Sequence, residues 1–103
     1  CDICLVGFVG QNQESTELAS HRFFELLRQR LTGEYSQVKV KILGPAPAQV
    51  VKVNHKFRYR MIIKCKNRKD FRQMMAECLT EFGKIKEHKD ITVYIDNNPD
   101  GML

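Results

Sequence analysis

VKVKILGPAPAQVVKVNHKFRYRMIIKC, residues 38–65, decides the fold. Its opening, Val38-Lys39-Val40-Lys41-Ile42, alternates strictly. Successive side chains of a strand point to opposite faces, so this is a strand with one apolar and one basic face. Gly44-Pro45-Ala46-Pro47-Ala48 breaks it, because proline cannot donate to a ladder. Val50-Val51-Lys52-Val53 resumes extended structure, Asn54-His55 forms a turn or bulge, and Lys56–Cys65 is the longest strand candidate. Within it Phe57, Tyr59, Met61 and Ile63 share one face, and Lys56, Arg58, Arg60, Ile62 and Lys64 share the other.

Working outward, Ile3–Val9 is a short apolar run suited to a buried strand, and Gln11–Glu14 reads as a turn. Ser15 or Thr16 is then a candidate N-cap. Leu18, Ala19, Phe23, Leu26, Leu27 and Leu31 recur at helical spacing, and Thr32-Gly33-Glu34 closes that helix with Gly33 at the C′ position. On the C-terminal side Asn67 is an N-cap for a second helix. Its stripe is Phe71, Met74, Met75, Cys78, Leu79 and Phe82, and Gly83 ends it. Lys84–Asp90 is a polar connection, Ile91–Asp96 a last strand, and Asn97-Asn98-Pro99-Asp100-Gly101 a turn-rich tail. The order is β-α-β-β-α-β, the split-βαβ or ferredoxin-like pattern. The expected fold class is α+β, an antiparallel four-stranded sheet with both helices on one face and the other face open.

At 103 residues the chain is expected to be one domain with a core of modest size. It begins with Cys1, not Met, and reads as a piece of something longer. No apolar run approaches the roughly 20 residues that span a bilayer. Cys1 and Cys4 form a C-x-x-C, but Cys65 and Cys78 stand singly and His21, His55 and His88 are scattered. A structural zinc site draws four convergent ligands, usually as two close pairs, so no metal is expected here. Reduced thiols in a cytoplasmic protein, some of them buried as small hydrophobes, are the expectation.

Charge is concentrated. Residues 38–72 hold eleven basic side chains and one acidic one, a net charge of +10, whereas the remainder holds 6 basic and 11 acidic ones, a net charge of −5. Such asymmetry points to a polyanionic partner. If the strand faces align, Lys39, Lys41, Arg58 and Arg60 form a basic patch on the open sheet face, able to neutralise phosphates independently of base sequence. An exposed face kept soluble and protected from edge pairing by Lys and Arg is the plainer reading. Phe57 and Tyr59 share the parity of Met61 and Ile63, which places them in the core. Tyr94 lies on the parity opposite to Val93 and Ile95, which makes it the better candidate for stacking on a base. Arg68, Lys69 and Arg72 begin the second helix, where unpaired backbone N–H groups and guanidinium groups together suit a phosphate or a carboxylate. No G-x-x-x-x-G-K-[ST], G-x-G-x-x-G or H-E-x-x-H is present, and Ser20 and His21 are helix neighbours that point to different faces, so no catalytic residue is expected.

Ile42-Leu43-Gly44-Pro45-Ala46-Pro47-Ala48, followed by Lys56-Phe57-Arg58-Tyr59-Arg60-Met61-Ile62-Ile63, resembles the C-terminal domain family of primosomal protein N′. That family carries an L-G-P-x-P-A segment, with a basic-aromatic-Arg-Tyr-Arg strand about ten residues later. The ending Val93-Tyr94-Ile95-Asp96-Asn97-Asn98-Pro99 is similar to its terminal V-D-x-D-P motif, although Asn98 stands where a second Asp is usual and Asn54-His55 replaces a Gly or Arg-Gly. The resemblance implies a parent that is a cytoplasmic ATP-dependent DNA helicase rebuilding replisomes at stalled forks. The parent's ATP, Mg and structural Zn sites would lie upstream. It also implies partners: branched or single-stranded DNA, the acidic C-terminal tail of single-stranded-DNA-binding protein, and the helicase core of the same polypeptide. Arg68 matches the family's tail-contacting arginine, and Arg72 sits where relatives can carry Gln. A stand-alone RNA-binding domain of ribosomal type is the alternative.

Overall fold

The computed structural model describes residues 2–53, 56–65 and 69–97. The expectations for Asn54-His55, Asn67, Arg68 and the tail from Asn98 fall outside them. In chain order the elements are β1 (Asp2–Gly10), α1 (Gln13–Leu31), β2 (Val40–Val53), β3 (Lys56–Cys65), α2 (Lys69–Gly83), a 3-10 turn (Lys86–His88) and β4 (Thr92–Asn97). The four strands form one sheet in the order β2-β3-β1-β4, every pairing antiparallel. This is the ferredoxin-like arrangement that the alternation and helical stripes predict.

Alternation decides which face is buried. From β3 Tyr59, Met61, Ile63 and Cys65 are buried, and from β1 so are Cys4, Val6 and Phe8. Ala19, Phe23 and Leu27 of α1 and Phe71, Met74, Met75, Cys78 and Phe82 of α2 cover them in one cluster. At its centre Phe8, Phe23 and Phe82 meet edge to face, with ring centroids 5.7 Å apart for Phe8–Phe23 and Phe23–Phe82 and 6.3 Å for Phe8–Phe82. Such pairs contribute beyond the area they bury. Arg30 ties the two helices together through Glu77 at 3.4 Å and Glu81 at 3.1 Å. The Tyr35 hydroxyl donates to the other oxygen of Glu77, and that carboxylate pushes the phenol up to about 12.

Several local readings differ. Asn12, not Ser15 or Thr16, caps α1: its Oδ1 accepts from the Ser15 backbone N–H at 3.0 Å, so the helix starts inside the expected turn. Thr16 is instead buried, its hydroxyl donating to the Asn12 carbonyl at 2.7 Å. Ser20 is buried in the same way on the Glu17 carbonyl, so two small hydroxyl residues belong to the core stripe while Leu18 is 52% exposed. Gly33 does not supply a left-handed C′ position, since Gly44 is the positive-φ glycine among the described residues. Thr32 caps α1 in right-handed geometry, its N–H donating to Arg28.

Gly44-Pro45-Ala46-Pro47 does not end a strand. β2 runs through it with register shifts between Leu43 and Ala46 and between Pro47 and Lys52. An edge strand tolerates proline because one row of its backbone groups needs no partner, and β2 is an edge. Gly44 has φ +98°, and a Cβ there would lie 3.0 Å from the Arg60 carbonyl. Backbone conformation and space therefore both require glycine at this point.

Candidate nucleic-acid interface

The sheet face away from the helices carries the basic side chains. Cross-strand pairing arranges it in rungs. Lys41 lies opposite Lys64, which lies opposite Ile3. The next rung is Leu43–Ile62–Leu5–Asp96, the next Ala46–Arg60–Gly7–Tyr94, then Arg58–Val9–Thr92, and at the end of β3 the exposed Lys56 pairs with Val53. Lys39 is exposed just ahead of β2, on the parity of Lys41. Lys41 and Arg58 are exposed, and Arg60 and Lys64 are half-buried.

Lys39, Lys41, Arg58 and Arg60 thus do share the open face, but they do not form one patch. Lys41 pairs with Lys64, four residues along β3 from Arg60, or about 13 Å at the rise of a strand. One cluster is Lys39, Lys41 and Lys64, and the other is Arg58 and Arg60. Between them runs the apolar rung Leu43–Ile62–Leu5, with Leu43 41% exposed. The single acidic residue of these rungs, Asp96, sits at the β4 edge, away from both clusters.

Tyr94 is on this face and 41% exposed, as its parity predicts. Gly7 stands opposite it on β1, and a Cβ built on Gly7 would overlap the tyrosine Cζ, so the ring lies across β1 over the bare backbone. Tyr59 is buried on the helix side, with its hydroxyl 3.4 Å from Glu17. Phe57 is half-buried on the same parity, so neither aromatic is presented to the open face.

At the start of α2, Lys69 and Arg72 are exposed in the first turn beside Asp70. Arg68 lies outside the described residues, so this second candidate site is seen only in part.

Cys4, Cys65 and Cys78 are buried. Burial, with Cys65 and Asp96 nearby, pushes the Cys4 thiol up to about 11, and burial does the same for Cys78. Both stay protonated at neutral pH and are poor nucleophiles and metal ligands. Among the described residues no group of three or more His, Cys, Asp and Glu side chains converges on a metal position, and no helix is long and apolar enough to cross a membrane.

The polar connection after α2 hides a buried histidine. His88 is 3% exposed and stacks on Phe82 with ring centroids 5.3 Å apart, beside a groove of about 320 Å³ lined by Leu79, Phe82, Lys89, Ile91 and Val93. Neither ring nitrogen has a hydrogen-bond partner among the described residues. Burial, and then the Arg22 charge, lower the His88 pKa below its usual value, against a smaller opposing effect of Glu87. The folded state therefore holds this ring neutral while the unfolded chain titrates near 6.5. Stability is complete above pH 6.5 and falls as the pH drops from there toward the lowered folded value. Thermal melts should show wild type losing Tm between pH 7 and 5 relative to His88→Phe, which keeps the stack and cannot titrate. Parallel pH profiles for the two proteins would refute the assignment.

Comparison with known proteins agrees with the strand-and-turn pattern. The family model of the primosomal protein N C-terminal domain matches residues 2–100. The chain belongs to this family. Among curated relatives, the replication restart protein PriA of Bacillus subtilis (strain 168) is 29% identical over 63 residues, 61% of this chain. The chain spans only 8% of that relative's length. The solved structures it resembles share the fold alone. The de novo designed protein Foldit4 has a TM-score of 0.63 at 15% identity, covering 96% of this chain and 97% of its own. A dimeric ferredoxin-like protein from an uncultured marine organism has a TM-score of 0.51 at 13% identity, covering 99% and 96%. For this primosomal C-terminal domain, then, family and fold agree with the reading of residues 38–65.

Two features of the structure have little or no trace in the sequence. Gly7 inside an apolar strand signals close approach of another group, which is the Tyr94 ring. His88 sits in a charged run with nothing to mark it as buried.

Proposed function

We propose that this chain is the non-catalytic C-terminal domain of a cytoplasmic replication-restart helicase, and that it binds branched or single-stranded DNA through its open sheet face. One observation carries the reading. Two basic clusters, Lys39–Lys41–Lys64 and Arg58–Arg60, flank an apolar rung on the face opposite to α1 and α2. Lysine and arginine so placed neutralise phosphates and release counterions, and Leu43, the exposed member of the rung between them, offers an apolar contact for a base. ATP, Mg and structural Zn belong, in this reading, to the rest of the helicase.

Partner docking is the second part of the proposal. Lys69 and Arg72 are exposed where the first backbone N–H groups of α2 lack intrahelical partners. With Arg68 they would receive an acidic peptide such as the tail of single-stranded-DNA-binding protein, next to the helicase core.

An NMR titration of the labelled domain separates the two. A short single strand should shift Lys41, Arg58, Arg60, Lys64 and Tyr94, and added salt should reverse the shifts. An acidic tail peptide should shift Lys69 and Arg72. Shifts from DNA confined to α1 and α2 would refute the assigned surface.

A further inference from the structure

We propose that Tyr94, lying over Gly7, is a stacking site for one unpaired base, so that the open face selects single strands over duplex. This rests on the nucleic-acid reading of the same face and adds what the face recognises. Sheets that bind single strands stack bases on exposed aromatic side chains. The open-face positions of the two central strands hold no aromatic residue: β3 offers Lys56, Arg58, Arg60, Ile62 and Lys64, and β1 offers Ile3, Leu5, Gly7 and Val9. Edge strand β4 supplies the ring instead. Because Gly7 has no side chain, the phenol end of Tyr94 reaches across onto β1, with Cζ, Cε1 and the hydroxyl filling the space a Cβ would occupy. The ring thus reaches a central strand while the residue stays 41% exposed.

What surrounds the ring fits a nucleotide. Arg60 stands opposite Gly7 on the far side from Tyr94, in the same rung, and Arg58 is one rung beyond. A base on the ring would have its phosphates within reach of the Arg58–Arg60 cluster. The next base along the strand would meet half-buried Ile62 and the exposed Leu43 of the neighbouring rung. A duplex keeps its bases inside the stack, where this ring cannot meet their faces. A purely structural role, the aromatic ring covering a strand glycine, explains the packing on Gly7 and makes no demand on binding.

The test uses the whole 103-residue chain, an eight-nucleotide oligothymidine and a duplex of the same length. The chain contains no tryptophan, so Tyr94→Trp introduces a single indole reporter. Its emission should be quenched by the oligothymidine and left unchanged by the duplex. Tyr94→Ala should weaken single-strand binding roughly tenfold and leave duplex binding unchanged within about twofold. Gly7→Ala keeps the tyrosine but puts a methyl group where its ring lies, and should weaken single-strand binding in the same way. It also covers the case in which Tyr94→Ala fails to fold. An unquenched indole, with both variants binding the oligothymidine as wild type does, would overturn the stacking site and leave the basic face as a phosphate-binding surface. Absence of any binding to either DNA by the wild-type chain would overturn the nucleic-acid reading and the stacking site together.

Discussion

Replacing Lys39, Lys41, Arg58 and Arg60 together with glutamine is expected to weaken single-stranded DNA binding at least about 100-fold at 50 mM salt while leaving the melting temperature nearly unchanged. All four lie on or beside the open face, and none is part of the buried cluster. Lys39, Lys41 and Arg58 are exposed, where such changes rarely alter stability by more than about 0.5 kcal/mol each, and of the four Arg60 alone is half-buried. A cation against a phosphate, by contrast, contributes to affinity through the counterion that is released, and removing all four charges multiplies the individual effects. Fluorescence anisotropy with a labelled oligonucleotide reads the affinity, and a thermal melt reads the fold. Replacing only Lys39 and Lys41, or only Arg58 and Arg60, should give intermediate weakening, because the two clusters are about 13 Å apart along β3 and meet different phosphates. If one pair accounts for the whole effect, the DNA path crosses only one side of the apolar rung.

Phe82→Ala is expected to remove about 3–5 kcal/mol of stability. Phe82 is the point where core and turn meet: it packs edge to face on Phe8 and Phe23 and stacks on His88. Truncation opens a cavity under three rings at once, and Phe8 and Phe23 are both fully buried with no room to relax into solvent. Domains of this size have about 5–15 kcal/mol in total, so the variant should melt roughly 15–30 °C lower or be unfolded near 37 °C. His88 loses its stacking partner as well, so the turn carrying it should gain hydrogen exchange first. Phe82→Leu, which keeps most of the volume, should cost markedly less. A melting temperature of Phe82→Ala within a few degrees of wild type would mean that the aromatic cluster is not the centre of the core.

Strand faces are legible in the sequence because they follow from parity alone. The alternation of Val38–Ile42 and of Lys56–Cys65 predicts which side chains enter the core, and the burial of Tyr59, Met61 and Ile63 agrees. The family is legible in Leu43-Gly44-Pro45-Ala46-Pro47 and the basic strand after it, and the match over residues 2–100 agrees. What parity cannot give is register. Lys41 pairs with Lys64 and not with Arg58 or Arg60, so one expected patch is two clusters with an apolar rung between them. The Gly-Pro segment reads as an interruption because proline lacks a donor, yet on an edge strand that donor is not required, and β2 continues. Helix α1 begins at an asparagine followed by residues that look like a turn, since Asn12 competes with Ser15 and Thr16 as a cap and only the geometry decides. Leu18 has the chemistry of a core residue but lies off the Thr16–Ser20–Phe23–Leu27 stripe, where two hydroxyl residues satisfy themselves on helix carbonyls. Tyr94 is legible as exposed, but its approach to Gly7 is a long-range pairing that no local pattern encodes.

The most direct test of the basic face as a nucleic-acid surface is the salt dependence of oligonucleotide affinity for wild type and for the four-residue glutamine variant, measured side by side from about 50 to 200 mM salt. For a single strand whose phosphates meet these four cations and Lys64, log K should fall with log salt at a slope of about −3.5 in the wild type, roughly a 130-fold loss over that range, and the slope should drop to about −0.7 in the variant, which keeps Lys64. The same slope in both proteins would contradict the account, because the phosphates would then be held elsewhere on the domain.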